Sequence, residues 1–279
     1  MRKPWPFMTC ITLTLALASS ALAGPRDFVV EHAGVGGTSE QAAPYLAKFL
    51  EYAEQTLGWP AKGSSAQFFA EPNAAFLQYL AEKKPGLGMI DPDQFLALRS
   101  KESLVLLATV YGKNQSLGHL NLVVKSPALK TLPDLKGKSL ISSHLQSPKY
   151  LSKIVFAGKI DVDSYFGKLV PATSMLKAVK AVDRGEADAA LLSDDEVTAL
   201  KSMAYAGLHV MWTSPALPPM PVVGFAKNSS AKDRAAFAKM LLGMCADPKG
   251  GEVCKALDIE KFGPPAKAAY EAAEKRYGK

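Results

Sequence analysis

Short apolar runs alternate with helix-period patterns along most of the chain. FVVEHA (Phe28 to Ala33) predicts a first strand. Beyond the loop GVGGTSEQ, the apolar positions Tyr45, Leu46, Phe49, Leu50, Ala53 and Leu57 recur at helical spacing, and Gly58 is placed to end the helix. Pro44 has no backbone N–H to donate, so the helix is expected to begin there, with Thr38 to Ala43 as a capping turn. AQFFA, the helix AAFLQYLAEK, LGMI and a helix after Asp91-Pro92 continue a β-α-β-α-β unit. A second unit follows the strands LVLLATVY and HLNLVVK: KSLISS, a helix from Pro148, KLVPA, a helix from Met175, DAALLS and a helix from Asp194.

This alternation predicts an α/β protein with largely parallel sheets. The polar stretch GKNQSLG (Gly112 to Gly118) offers one crossing between the units. The proline-stiffened segment around Pro215, Pro218, Pro219 and Pro221, between LHVMWTSP and PVVGFAK, offers a return. The tail from Ser230 reads as helical and needs the first unit to cover its apolar faces. Two α/β domains joined by two crossings leave a cleft between them, with 24–112 and 222–279 forming lobe one and 113–221 forming lobe two.

The first residues add a compartment. Arg2 and Lys3 precede an apolar run that ends in Ala21-Leu22-Ala23, the pattern of a secretory signal peptide over residues 1–23. The expected mature protein is periplasmic or secreted, and Cys10 leaves with the leader. Cys245 and Cys254 remain, and in an oxidising compartment they form either a disulfide or a pair of buried thiols. The formal net charge of +7 falls by two when the leader is removed. Lysines dominate from Lys125 to Lys180, facing only Asp134, Asp161 and Asp163, which gives lobe two a positive field suited to small anions. Their even spread does not make a nucleic-acid patch. The four histidines, His32, His119, His144 and His209, have no metal-ligand spacing, and no cofactor motif is present.

LNLVVKSPALKTLPDLKGKSL and LKAVKAVDRGEADAALL, with their words Asp134-Leu135-Lys136-Gly137-Lys138 and Gly185-Glu186-Ala187-Asp188-Ala189, resemble the periplasmic phosphonate/phosphite-type solute-binding proteins of ABC transporters. The resemblance spans nearly the whole mature chain. It implies a two-lobed type II periplasmic binding fold, a monomeric protein that closes on a small ligand, a membrane permease as partner, and no catalysis. Gly185 and Asp188 read as markers of the fold.

Ligands of open α/β sheets sit beyond the carboxyl ends of the strands. After the first strand these are Gly36, Gly37, Thr38 and Ser39, either a ligand loop or a turn capped by Thr38 and Gln41. In lobe two they are Ser142, Ser143, His144, Gln146 and Ser147. In the family this loop ends in a Ser-Thr-Ser-Gly run that holds the oxyanion. Here Ser147 is followed by Pro148, Lys149 and Tyr150, so three of the four positions differ. Ser174, beside Thr173, keeps the first residue of a family Ser-His-Asp triplet whose other two positions are Met175 and Leu176. Asp91 and Tyr111 complete the candidate ligand set. Asp93 stands where the family commonly has a tyrosine, and either receives a cationic amine or sits at a helix N-terminus favouring its dipole. Lys149 either points into the cleft or is solvated.

A small anion, phosphonate- or phosphate-like or organic, is the leading ligand class, because helix N-termini favour negative charge. Two other functions stay open: a sensory module presenting a ligand to a receptor kinase, and a hydrolase using Ser147 or Ser143 with His144.

Overall fold

The computed structural model describes residues 26–33, 38–70, 74–112, 118–203 and 205–278. The expected leader, with Cys10, and the loop residues Gly36 and Gly37 lie outside them.

The first sheet takes β1 (Phe28–Glu31), β2 (Ala66–Phe69), β3 (Leu87–Met89), β4 (Leu104–Gly112), β10 (Pro221–Phe225) and β11 (Ile259–Gly263), in the order β11-β4-β10-β3-β1-β2. The second takes β5 (Leu120–Val124), β6 (Ser139–Ser142), β7 (Lys168–Pro171), β8 (Ala189–Ser193) and β9 (His209–Thr213), in the order β7-β6-β8-β5-β9. Each sheet and its helices form one lobe.

Both sheets are mixed, which corrects the expectation of largely parallel ones. β1 runs parallel to β2 and β3, and β6 runs parallel to β7 and β8. β10 is antiparallel to β3 and β4, and β5 is antiparallel to β8 and β9. The reason is topological. β5 and β10 are the strands that arrive from the other lobe, so no right-handed β-α-β connection fixes their direction.

The helices are α1 (Ser39–Leu57), α2 (Ala74–Lys83), α3 (Pro92–Glu102), α4 (Pro148–Tyr150) running into a π-turn (Leu151–Val155), α5 (Val162–Tyr165), α6 (Met175–Asp183), α7 (Asp194–Lys201), α8 (Ala231–Met244), α9 (Pro248–Ala256) and α10 (Lys267–Tyr277). α1 starts at Ser39, not at Pro44. Thr38 accepts from the Gln41 N–H and the Gln41 side chain accepts from the Thr38 N–H, so a capping box fixes the first turn. Pro44 then costs only the bond to the Glu40 carbonyl, in an exposed turn where water replaces it. Gly58 ends the helix in the left-handed conformation, φ 64°.

The tail is helical as expected except for β11, an edge strand on β4. Its sequence IEKFG puts two exposed charges between buried residues, and its register shifts between Ile259 and Lys261. A charged, irregular edge strand shows no alternation to read. Cys245, just after α8, is joined to Cys254 in α9 by a disulfide with a Cα–Cα distance of 5.6 Å.

One face of the first sheet packs under α1, α8 and α9 through Phe28, Phe49, Trp59, Phe237 and their neighbours. The outer face of the second sheet packs under α6 through Val123, Ala178, Val179 and Leu192. The remaining apolar cluster runs from one lobe into the other: Val29, Phe76, Phe95 and Tyr270 belong to the first, and Leu122, Tyr150, Leu151 and Phe156 to the second. The lobes therefore do not have fully separate cores. α10 contributes to this continuity, since it packs against both α3 and the π-turn of lobe two.

Candidate functional site

The site grows from three strand ends. β1 stops at Glu31, which is fully buried, and the chain turns through His32 and Ala33. β3 leads to Asp91, which is 6 % exposed and precedes α3. Asp91 ties the two ends together: its Oδ1 lies 2.7 Å from His32 Nδ1 and its Oδ2 accepts from the Ala33 N–H at 2.7 Å. Glu31 Oε2 accepts from the Asp91 N–H at 3.1 Å, while Glu31 Oε1 is buried without a hydrogen-bond partner.

From lobe two, β6 ends at Ser142, which is 1 % exposed. Its hydroxyl donates to the Leu191 carbonyl at 2.6 Å and accepts from the His144 N–H at 3.0 Å. His144 Nε2 lies 3.1 Å from Glu196 Oε2, which also accepts from the Ser193 N–H. The Gln146 side chain donates to the Ser143 carbonyl. Ser147 stands at the N-cap position of α4 without a side-chain capping bond.

These ends meet in a cavity of about 50 Å³ lined from lobe one by Ala33, Asp91, Pro92 and Asp93, from lobe two by Leu120, His144, Gln146, Ser147, Tyr150 and Leu151, and by Leu217 of the return crossing. Of the sequence candidates, Asp91, His144, Gln146 and Ser147 come together there, while Ser142, the last residue of β6, and Ser143 are buried and do not line it. Thr38 caps α1, and the Ser39 hydroxyl donates to the Phe68 carbonyl at 2.6 Å. Tyr111 lies in β4 with the Lys261 ammonium 5.4 Å from its ring centre, and Ser174 caps α6 by accepting from the Lys177 N–H. None of these four, nor Thr173, lines the cavity. Lys149 is turned to α10, its ammonium 4.3 Å from the Tyr277 ring centre.

Two of the lining residues, Asp93 and Tyr150, lie outside the candidate ligand set. Asp93, in the first turn of α3, accepts from Gln94 Nε2 at 3.0 Å and interacts with the Gln94 and Asp93 backbone N–H groups. Tyr150 is 8 % exposed, and its hydroxyl is buried without a hydrogen-bond partner. Asp93 was legible as a departure from the family's residue. Tyr150 could have been found only by placing α4 in three dimensions, because in the sequence it marks the loss of a motif.

The carboxylates perturb one another. Burial, then the charges of Asp91 and Asp93, push Glu31 far above the carboxylate range. Burial and then the Asp91 charge push Asp93 up to about 6. Burial alone would lower His32, but the Asp91 charge and hydrogen bond outweigh it and raise it. Burial, followed by the Asp93 and Asp91 charges, drives Tyr150 upward, and Arg276 opposes this. The site is a neutral hydroxyl facing a pair of carboxylates, one of them tied to a histidine.

A larger cavity, about 350 Å³, lies within lobe one between β1 and α1, walled by Phe28, Val30, Leu46, Phe49, Met89 and Phe262 among others. A single lobe builds it, and it borders the cleft residues only through His32. Its size comes from apolar packing beneath α1, away from the strand ends of lobe two. Among the described residues no cluster of three or more His, Cys, Asp or Glu is arranged to hold a metal ion.

A sequence profile of the periplasmic substrate-binding proteins of phosphonate ABC transporters matches residues 38–270. The chain belongs to this family. It is therefore a periplasmic substrate-binding component of an ABC-type transporter, and no described helix is long and apolar enough to cross a membrane. No curated protein matches it in sequence. Among solved structures, a Xanthomonas citri protein bound to ATP superposes with a TM-score of 0.71 at 14% identity, over 91% of this chain and 97% of that one. A binding component of an ABC phosphonate transporter from Pseudomonas aeruginosa gives 0.63 at 17% identity, over 91% and 88%. A Prochlorococcus marinus protein in complex with methylphosphonate gives 0.61 at 14% identity, over 90% and 97%. At these identities the likeness is one of fold, and the fold is the two-lobed type II periplasmic binding architecture.

Proposed function

We propose that this family member captures a small polar solute in the cleft between its lobes, closes on it, and delivers it unchanged to a membrane permease. The observation that carries the reading is the cavity whose walls come from both lobes at the carboxyl ends of β1, β3 and β6. A solute touching Asp91 and Asp93 on one side and His144, Gln146, Ser147 and Tyr150 on the other favours the closed arrangement by its contacts with both walls. The cavity of about 50 Å³ is far below the roughly 300–1,000 Å³ of pockets for drug-sized ligands, so the solute's polar head is the part it suits.

The division of labour follows the sheets, with 24–112 and 222–279 as lobe one and 113–221 as lobe two. The mature chain acts as a monomer after removal of the leader near Ala23. Binding without turnover fits the engagement of His144 with Glu196, which occupies its Nε2. The expected ligand class, a small anion, rests on the family, since no lysine or arginine is among the described residues lining the cavity.

Native mass spectrometry of the protein after incubation with a cell extract tests the reading. One captured small molecule, recovered chemically unchanged, is expected, together with a smaller radius of gyration in solution scattering. Failure to capture anything, with no change in scattering, would overturn it.

A further inference from the structure

Resting on the solute-binding reading, we propose that the cleft takes a solute with a positively charged, hydrogen-bearing nitrogen, held between Asp93 of lobe one and the Tyr150 hydroxyl of lobe two. Two carboxylates face the cavity, and among the described residues lining it there is no lysine or arginine. The lysines of lobe two do not reach this point, and Lys149, the one nearest in sequence, is turned to the Tyr277 ring. An oxyanion entering here would meet Asp91 and Asp93 at the start of α3, where the positive helix end is already neutralised by those same side chains.

The two carboxylates are not equivalent. Asp91 is used up by His32 and the Ala33 N–H, so it belongs to the scaffold. Asp93 is met by Gln94 and by backbone N–H groups of the helix start, with no cationic side chain bonded to it. Burial and the Asp91 charge leave its carboxyl high even though the Gln94 contacts and the helix-start N–H groups pull it down, as expected for a carboxylate short of a counter-charge.

The second observation is independent of the acids. The Tyr150 hydroxyl comes from the opposite lobe, lines the same cavity, and is buried without a partner. A buried hydroxyl with no partner is costly, and a donor arriving with the solute removes that cost. A phenol accepts readily from an ammonium or guanidinium N–H, and the carboxylate opposite supplies the charge. Leu120, Leu151 and Leu217 then offer apolar contact to the carbons attached to the nitrogen.

Titration calorimetry with 3-aminopropylphosphonate, propylphosphonate and putrescine tests the inference. At least one amine is expected to bind at least tenfold tighter than propylphosphonate. Asp93→Asn should weaken that binding tenfold or more, and Tyr150→Phe several-fold, with both variants unfolding within a few degrees of the parent. Loss of affinity without loss of stability separates ligand contact from a structural role. Equal or tighter binding of propylphosphonate, amine binding unaffected by Asp93→Asn, or no heat from any probe would each overturn the inference. The underlying reading is judged separately by extract capture: a captured solute without a cationic nitrogen removes the ammonium and leaves solute binding standing, and no captured solute removes both.

Discussion

The two walls of the cleft occupy matching places in two sheets of the same design, yet their polar groups are in opposite condition. In lobe two the strand ends at Ser142, whose hydroxyl both donates and accepts, and His144 and Gln146 bond to Glu196 and Ser143. In lobe one the strand ends at Glu31, which keeps a buried oxygen without a partner and shares its surroundings with Asp91 and Asp93. At its strand end the lobe-two wall is satisfied by its own chain, although farther along the same wall the Tyr150 hydroxyl is buried without a partner. The other holds charge and bonding capacity in reserve, as functional sites do when they sacrifice stability for an interaction still to come. The satisfied strand end leads into the loop that keeps only Ser147 of the family's oxyanion-binding run.

The largest expected effect breaks this contrast at Glu31. A carboxyl held protonated in the fold costs nothing in acid, where the unfolded chain is protonated too. As pH climbs past the ordinary 4.5, the unfolded chain ionises freely while the buried group does not, and stability falls toward the folded value. The groups facing it, Asp91 and Asp93, deepen the effect, and Asp93 adds a slope of the same sign that ends near pH 6. Glu31→Gln should abolish the Glu31 contribution, a slope of up to about 1.4 kcal/mol per pH unit above pH 6, leaving the Asp93 limb below it and, above pH 6.5, a loss of the same sign from His32, which is also raised. Urea denaturation of both proteins from pH 5 to 9 measures this. Parallel curves would show that Glu31 is ionised and paired after all.

The next effect is on the satisfied strand end of lobe two. Ser142→Ala removes a 1 % exposed hydroxyl and leaves the His144 N–H and the Leu191 carbonyl without that partner. It should cost about 2 kcal/mol, within the range for an orphaned buried group. Tyr150→Phe removes a hydroxyl that has no partner and should leave the stability of the ligand-free protein unchanged or slightly raised. Equal losses from the two substitutions would erase the distinction, within lobe two, between the satisfied strand end and the unpartnered Tyr150 hydroxyl.

Much of this architecture was legible beforehand, and the exceptions share a cause. The periods of α1, α6 and the strand FVVE, and the left-handed residue Gly58, are local, so the sequence carries them openly. The capping box at Thr38 was legible as an alternative, but Pro44 weighed too heavily against the six residues before it. Strand direction in β5 and β10, the edge strand β11 and the apolar cluster spanning both lobes depend on where the chain returns from, which no window of sequence contains. The site divides the same way. Asp91, His144, Gln146 and Ser147 follow strand ends and could be listed from topology alone. Tyr150 becomes visible only when its hydroxyl is seen to be buried and unanswered.

Thr38 offers a smaller and sharper comparison, because its loop was open to two readings. Thr38→Ala should cost about 1 kcal/mol through loss of the cap on α1 and leave solute affinity within twofold. A tenfold loss of affinity with little change in stability would move this loop from scaffold to ligand contact.

Glu196 carries the smallest effect, and its sign is opposite to that of Glu31. Burial alone would raise it, but the His144 hydrogen bond and charge and the Ser193 contacts outweigh burial and hold it below the ordinary 4.5. Its contribution is therefore present above pH 4.5 and lost as pH falls through the lower folded value. The side chain is 20% exposed, so solvent screens part of the pairing and Glu196→Gln should cost less than about 1 kcal/mol at neutral pH. The informative readout is again the slope: the substitution should flatten stability on the acid side of pH 4.5, where Glu31→Gln changes little, and leave the rise from pH 9 down to 6 as it is. Two carboxyls in equivalent strand-end networks would then give stability losses on opposite sides of the pH scale, one because its own chain completes the network around it and the other because it does not.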